Sequence, residues 1–196
     1  MDSNYLNTMI NIYESCYFSG LPVKFVTEAS IAHHDLENYQ LLVVPGATHV
    51  TAQTFKAIMD FAKRKAVISF NPQSMTRNEL GQVVGSRKQA LAAIKTFPVQ
   101  SLDQNGKAFN QVLKQLNIAP EIDLTDTHGQ RVFGVEYRIA RDRQGRRLIY
   151  VMNLEKVPRD IVINTPKNSW FNLLTDQPIP NRLTVKPMEL LLLREL

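Results

Sequence analysis

A single cysteine, Cys16, stands in a chain of 196 residues. One thiol makes no internal disulfide and no multi-cysteine metal cluster, which excludes a cystine framework and a zinc ribbon. No run approaches the roughly 18 apolar residues that a membrane-crossing helix needs. Met1-Asp2-Ser3-Asn4 is polar and acidic, unlike the basic leader of a secretory signal. No membrane partner is expected, and the compartment stays open with the cytoplasm favoured. No predicted strand runs into a glycine-rich phosphate loop, and no Gly-x-Ser-x-Gly elbow occurs. The formal charge of +5 is diffuse apart from Lys63-Arg64-Lys65 and the arginines between 138 and 147. Both runs are short, fall at predicted element ends or turns, and have no interleaved aromatics. They read as solvated turns, and no nucleic-acid partner is expected.

What is present centres on Leu41-Leu42-Val43-Val44-Pro45-Gly46. A short aliphatic run closed by turn residues reads as a buried strand of a parallel sheet. Thr51 then caps a helix over 52–64, with Phe55, Ile58, Met59 and Ala62 at helical spacing. Earlier, residues 4–18 carry an apolar stripe of Leu6, Met9, Ile10, Tyr13, Cys16 and Tyr17, with Gly20 and Pro22 as stop signals. Val23-Lys24-Phe25-Val26 and Ala66-Val67-Ile68-Ser69-Phe70 read as strands, residues 88–94 and 107–116 as helices, and 71–86 as a polar excursion. That excursion fits a lid, an interface arm or disorder. The alternation over 1–118 predicts a three-layer α/β domain with helices on both faces of a sheet. A doubly wound sheet opens with a strand, and this one opens with a helix. Two readings follow: the natural chain continues upstream, or the family lacks that strand.

Near residue 119 the pattern changes. Ala119-Pro120 breaks the last helix, and 119–129 reads as a linker holding the acidic Glu121, Asp123 and Asp126. Period-two alternation over 131–140 and 147–154, around Arg143-Gln144-Gly145, predicts a hairpin. Further short strands at 160–164, 169–174, 182–185 and 190–194 are separated by prolines. About six strands and no helix over 130–196 predict a small antiparallel β-sandwich.

Chemistry-bearing residues are sparse. Cys16 sits on an apolar helix face and reads as core. His33-His34-Asp35 lacks a third ligand at metal-binding spacing, so no metal and no cofactor is expected. The loop after the strand at 41–44 lies where open α/β sheets bind ligands. Gly46, Thr48 and His49 are therefore the candidate ligand-binding residues. His49 would need a nucleophile beside it to act as a base, and Thr48 and Thr51 read as turn and cap residues. Glu28, Asp35, Glu79 and Glu136 are scattered, and no spacing pairs two carboxyls as glycoside hydrolysis requires. No catalytic residue is assigned. Trp170, Phe171 and Tyr137 offer sugar-stacking surfaces, with packing the commoner role for such residues.

The segment Tyr13-Glu14-Ser15-Cys16-Tyr17-Phe18-Ser19-Gly20-Leu21-Pro22-Val23-Lys24-Phe25-Val26-Thr27-Glu28, with Leu41 to Ala47, resembles the trimerisation domain of the β-galactosidases of glycoside hydrolase family forty-two. Arg77-Asn78-Glu79-Leu80-Gly81 is similar to an Asp-Glu-Tyr-Gly-type loop there, departing at Asn78 and Leu80. Leu148 to Leu154 and Val185 to Leu193 resemble the small C-terminal β-domain of many glycosidases. The resemblance implies a flavodoxin-like, class I glutamine-amidotransferase-like domain over 1–118 followed by the β-sandwich. It also implies catalytic glutamates on a preceding (β/α)₈ barrel that this chain does not contain. Active amidotransferases carry a cysteine after the strand matching 66–70, and Asn71-Pro72-Gln73-Ser74 stands there. Fold without that chemistry follows.

The expected role is therefore the non-catalytic part of a β-galactosidase-like glycosidase, a homo-oligomer that supports the barrel of its parent protein. The alternative is a free-standing module that binds a carbohydrate near Gly46 to Thr51. An intact hydrolase or amidotransferase is the weakest reading, since no nucleophile and base stand together.

Overall fold

A computed structural model describes residues 3–33, 36–165 and 169–196. Residues up to Ser15 form one compact unit with Lys24–Ile118, and Cys16–Val23 forms a second with Ala119–Leu196.

The first unit holds α1 (Ser3–Tyr17, its end reaching into the second), α2 (Glu28–Ala32), β1 (Leu41–Val44), α3 (Ala52–Ala62), β2 (Ala66–Ser69), α4 (Arg87–Leu91), β3 (Lys95–Thr96) and α5 (Leu102–Gln115). The three strands form a parallel sheet in the order β1-β2-β3, with Leu41 opposite Ala66 and Val44 opposite Ser69. Leu42, Val44 and Val67 share a core with Ile31 of α2 and with Ile58 and Phe61 of α3. Ile68 and Phe70 alternate to the other face and are equally buried. Side-chain caps start the helices: Thr51 accepts from the Thr54 amide, Ser101 from the Gln104 amide, and Thr27 and Ser30 cap α2 reciprocally. The Asn105 amide group donates to Asn11 Oδ1 at 2.8 Å, tying α5 to α1.

Four expectations change here. Val23 to Val26 pairs with no strand among the described residues and carries no regular structure, because apolar alternation makes a strand only beside another strand. The buried face of α1 is Ile12, Ser15 and Cys16, while Leu6 and Ile10 are exposed. The helix predicted from 107 begins at Leu102, where Ser101 caps it. Residues 71–86 are an ordered arm and not wholly polar, since Met75 is buried in the sheet's core.

Among the described residues the second unit has eight strands: β4 (Asp123–Thr125), β5 (Val135–Arg141), β6 (Arg147–Asn153), β7 (Arg159–Asn164), β8 (Ser169–Asn172), β9 (Gln177–Pro180), β10 (Arg182–Val185) and β11 (Leu190–Glu195). They form two antiparallel sheets, β10-β7-β4 and β5-β6-β11-β8-β9. Leu124, Ile161, Ile163 and Val185 of the first meet Val135, Tyr137, Ile149, Val151, Trp170 and Leu193 of the second in one core, the two-sheet sandwich expected. The stretch expected to be a linker is part of this core: Ile122 and Leu124 are 1% and 2% exposed. Its acidic residues hid the strand, because they alternate with the buried ones. β9 was hidden by Pro178 and Pro180, which are tolerated because β9 is an edge.

The segment Cys16–Val23 belongs to this unit through named contacts. The Tyr17 hydroxyl donates to Glu136, Arg131 donates to the Ser19 carbonyl, and Phe18 packs edge-on against Phe133 at 4.6 Å. Gly20 has φ +75°, and a Cβ there would fall inside the Tyr137 phenol.

Candidate functional site

The loop leaving β1 is held by the arm over 71–86. Met75 donates from its amide to Ala47 O at 2.7 Å, Arg77 to Thr48 O at 3.0 Å, and Val50 to Arg77 O at 3.1 Å. The loop therefore has a strand-like partner, and Met75 reaches it in a left-handed conformation, φ +60°, which costs a non-glycine residue roughly 1 kcal/mol. Arg87, 5% exposed, fixes the arm from below. Its guanidinium donates to the carbonyls of Val50, Met75 and Arg77, and it lies over the Phe55 ring at 4.5 Å from the centroid. Lysine would bring three donors at one point, but neither the second nitrogen on Val50 O nor the planar face that lies over the Phe55 ring.

Of the candidate residues, Gly46 is buried with φ +88°, and a Cβ there would sit 3.4 Å from Asn71 Cβ. Thr48 Oγ1 and His49 Nδ1 are 2.8 Å apart. His49 is exposed, and its Nε2 side faces Gly81 of the arm. This is a hydroxyl–imidazole pair without the third group that orients a catalytic base. Thr51 is a cap, as expected, and Glu28 joins it: its carboxylate accepts from the Thr51 amide at 3.2 Å and from Thr54 Oγ1 at 2.8 Å. A carboxylate at a helix N-terminus is stabilised by the helix dipole.

An open cleft of about 360 Å³ lies one loop away, at the carboxyl end of β2, lined by Ser69, Asn71, Gln73, Ser74, Arg87 and Thr96 among others. Gly46, Thr48 and His49 do not line it. Asn71 Oδ1 accepts from the Gln73 amide at 2.7 Å, which shapes the turn after β2. Ser74 Oγ is buried without a hydrogen-bond partner. Sequence reading missed this cleft because its walls come from the arm and α4, whose packing depends on Arg87.

The remaining candidates separate. Cys16 is 4% exposed, and burial pushes its thiol up to about 12, so it is no nucleophile. Glu136 meets Tyr17 and Arg138, Glu121 pairs with Arg141, and Asp126 Oδ1 accepts from the His128 and Gln130 amides at 2.8 Å. Trp170 and Tyr137 are 0% and 2% exposed, inside the sandwich core, and so present no stacking face. His34 and Asp35 lie outside the described residues, among which no group of three potential ligands could hold a metal.

No family model and no curated protein matches the sequence. The fold does match solved structures. An apo exo-carrageenase GH42 from Bacteroides ovatus superposes with a TM-score of 0.75 at 20% identity, over 97% of this chain and 26% of that one. Gan42B, a GH42 β-galactosidase from G. stearothermophilus, gives 0.73 at 11% identity over 99% and 36%. A β-galactosidase from Bacillus circulans sp. alkalophilus gives 0.69 at 13% over 98% and 38%. The chain thus spans about a quarter to two-fifths of the proteins whose fold it shares.

Proposed function

We propose that this chain is the non-catalytic part of a β-galactosidase-like glycosidase, and that it serves subunit assembly and supports a catalytic barrel lying outside it. One observation carries the reading: nearly the whole chain matches GH42 structures, while about two-thirds of each of them has no counterpart here. The first unit is the flavodoxin-like, amidotransferase-like trimerisation domain on this reading, and Asn71 in place of a cysteine leaves it without amidotransferase chemistry. The assembly surface includes the arm, whose tip carries Leu80 and Val83 at 77% and 67% exposed. Large apolar side chains exposed together mark contact surfaces.

Light scattering over a concentration series, with lactose and galactose in parallel runs, tests the proposal. A trimer that ignores both sugars is expected. A monomer at every concentration overturns autonomous assembly.

A second reading, a free-standing sugar-binding module, draws on the cleft at the carboxyl end of β2. At about 360 Å³ it is at the small end of ligand sites, and its lining includes the polar Asn71, Gln73 and Thr96. Gly46, Thr48 and His49 would form the neighbouring rim. Thermal stabilisation by galactose separates this reading from the first.

A further inference from the structure

The arm ends in a turn fixed by its own polar groups. Asn78 Oδ1 accepts from the Leu80 and Gln82 amides at 3.1 and 2.9 Å, the Gly81 amide donates to Asn78 O at 3.0 Å, and Arg77 Nη1 donates to Gly81 O at 2.7 Å. A tip held this way loses little further freedom when a surface packs on it. Leu80 and Val83 are exposed there, with Glu79 exposed beside them. The Glu79 carboxylate has no hydrogen bond and no ion pair among the described residues.

The second unit carries the complementary arrangement. In the sheet β5-β6-β11-β8-β9, Ile149, Val151, Leu191, Leu193 and Trp170 face the sandwich core. Strand alternation turns Leu148, Met152, Leu190, Leu192, Phe171 and Arg194 to the other face. Arg194 stands opposite Leu148 on one side and Phe171 on the other. A sheet face turned to water carries polar residues at such places, and here one arginine is set among apolar side chains. Leu190 is 46% exposed and the others are half-buried. The Arg194 guanidinium lies 5.4 Å from the Phe171 ring centroid, its Nε is buried without a hydrogen-bond partner, and it has no ion pair among the described residues. Glu136, an acidic residue of that face, is already held by Tyr17 and Arg138.

Each patch lacks what the other presents: a carboxylate beside two apolar side chains, and a guanidinium among leucines and an aromatic ring. Arginine and aromatic side chains anchor protein contacts, and a charge pair there sets which surfaces meet. We infer that the arm tip of one copy docks on the outer sheet face of a second copy, with Glu79 against Arg194 and with Leu80 and Val83 on Leu148, Leu192 and Phe171. The inference rests on the assembly role proposed above and names its two contact surfaces. Tip and face are different patches, so the contact runs head to tail, and every copy in a closed ring uses both.

Light scattering on the full chain over a concentration series tests it. Glu79→Arg and Arg194→Glu should each raise the dissociation constant by at least about tenfold. The double variant should regain the wild-type mass, because the pair is then only reversed. Melting at dilutions where every variant is a monomer checks that the folds survive. Arg194→Leu takes the place of Arg194→Glu where the latter does not fold: in its background, Glu79→Arg should weaken assembly less than it does in the wild type. A wild-type oligomer unmoved by either single reversal overturns the contact and leaves the assembly role standing. So does a double variant no tighter than the single ones, or a Glu79→Arg effect that ignores Arg194→Leu. A wild-type chain that stays a monomer overturns both.

Discussion

Arg87 donates from both Nη atoms to the carbonyl oxygen of Val50, each at 3.2 Å. The same Nη1 reaches Met75 O and Arg77 O at 3.1 and 2.8 Å. One side chain thereby joins the loop after β1 to the arm that pairs with it.

Replacing Arg87 with Lys leaves buried carbonyls without donors, each costing about 1–3 kcal/mol. Arg87→Lys should lower stability by roughly 2–4 kcal/mol in urea unfolding, and limited trypsin digestion should newly cut after Arg77. A loss below about 0.5 kcal/mol would mean that water replaces the guanidinium.

Gly20 separates backbone strain from contact. Asn tolerates a positive φ better than Ala does, but a Cβ on either residue enters the Tyr137 phenol. Gly20→Ala and Gly20→Asn should both cost several kcal/mol, about equally, by thermal melting. An Asn variant close to wild type would assign the position to conformation alone.

Alkali should weaken the fold through two buried acids. Burial raises the Cys16 thiol to about 12, and burial followed by the charge of Asp123 raises the Tyr137 phenol to about 12. Their ordinary values are 9.0 and 10.0. The folded chain therefore holds these protons more tightly than the unfolded chain. Stability should be full below pH 9 and fall as pH rises toward 12. Cys16→Ala should make that fall shallower, and the thiol should ignore Ellman's reagent at pH 8 until urea is added.

The arm's tip bears on the assembly proposal. Leu80→Lys with Val83→Lys should dissociate the oligomer in light scattering, and at dilutions where both proteins are monomers it should leave the urea midpoint unchanged, because both side chains are exposed. An intact oligomer moves the contact surface elsewhere.

His49→Ala should change stability by less than about 0.5 kcal/mol, as expected for an exposed side chain. If galactose stabilises the native chain, loss of that shift in His49→Ala would support a binding rim at the β1 loop. Retention of the shift together with its loss in Ser74→Ala would place the sugar in the cleft at β2.

How much of this was legible in the sequence depended on how local its cause was. The strand Leu41–Val44 and the cap at Thr51 are written in adjacent residues and stood where expected. The sandwich followed from alternation and turn chemistry. What escaped was set by partners far along the chain. Asp123–Thr125 is a strand because Asn164 to Val162 lies opposite, and residues 71–86 are ordered because one arginine after them is buried. The face of α1 turned inward was also decided by neighbours: Ile10 belongs to the expected stripe and is exposed, while Ile12, outside that stripe, is covered. The cleft had no signal of its own, since polar residues in turns look alike whether they line a cavity or face water.

The placement of Cys16–Val23 in the second unit has a consequence during synthesis. Tyr17 leaves the ribosome 119 residues ahead of its acceptor, Glu136. At roughly 5–20 residues per second, that interval is about 6 to 24 seconds. Through it Tyr17 remains without Glu136 and Arg138, and Phe18 without Phe133, while the α/β unit downstream can already close. A nascent chain halted near residue 118 should therefore present this aromatic segment to a holding chaperone, and release should follow translation of the β5–β6 hairpin.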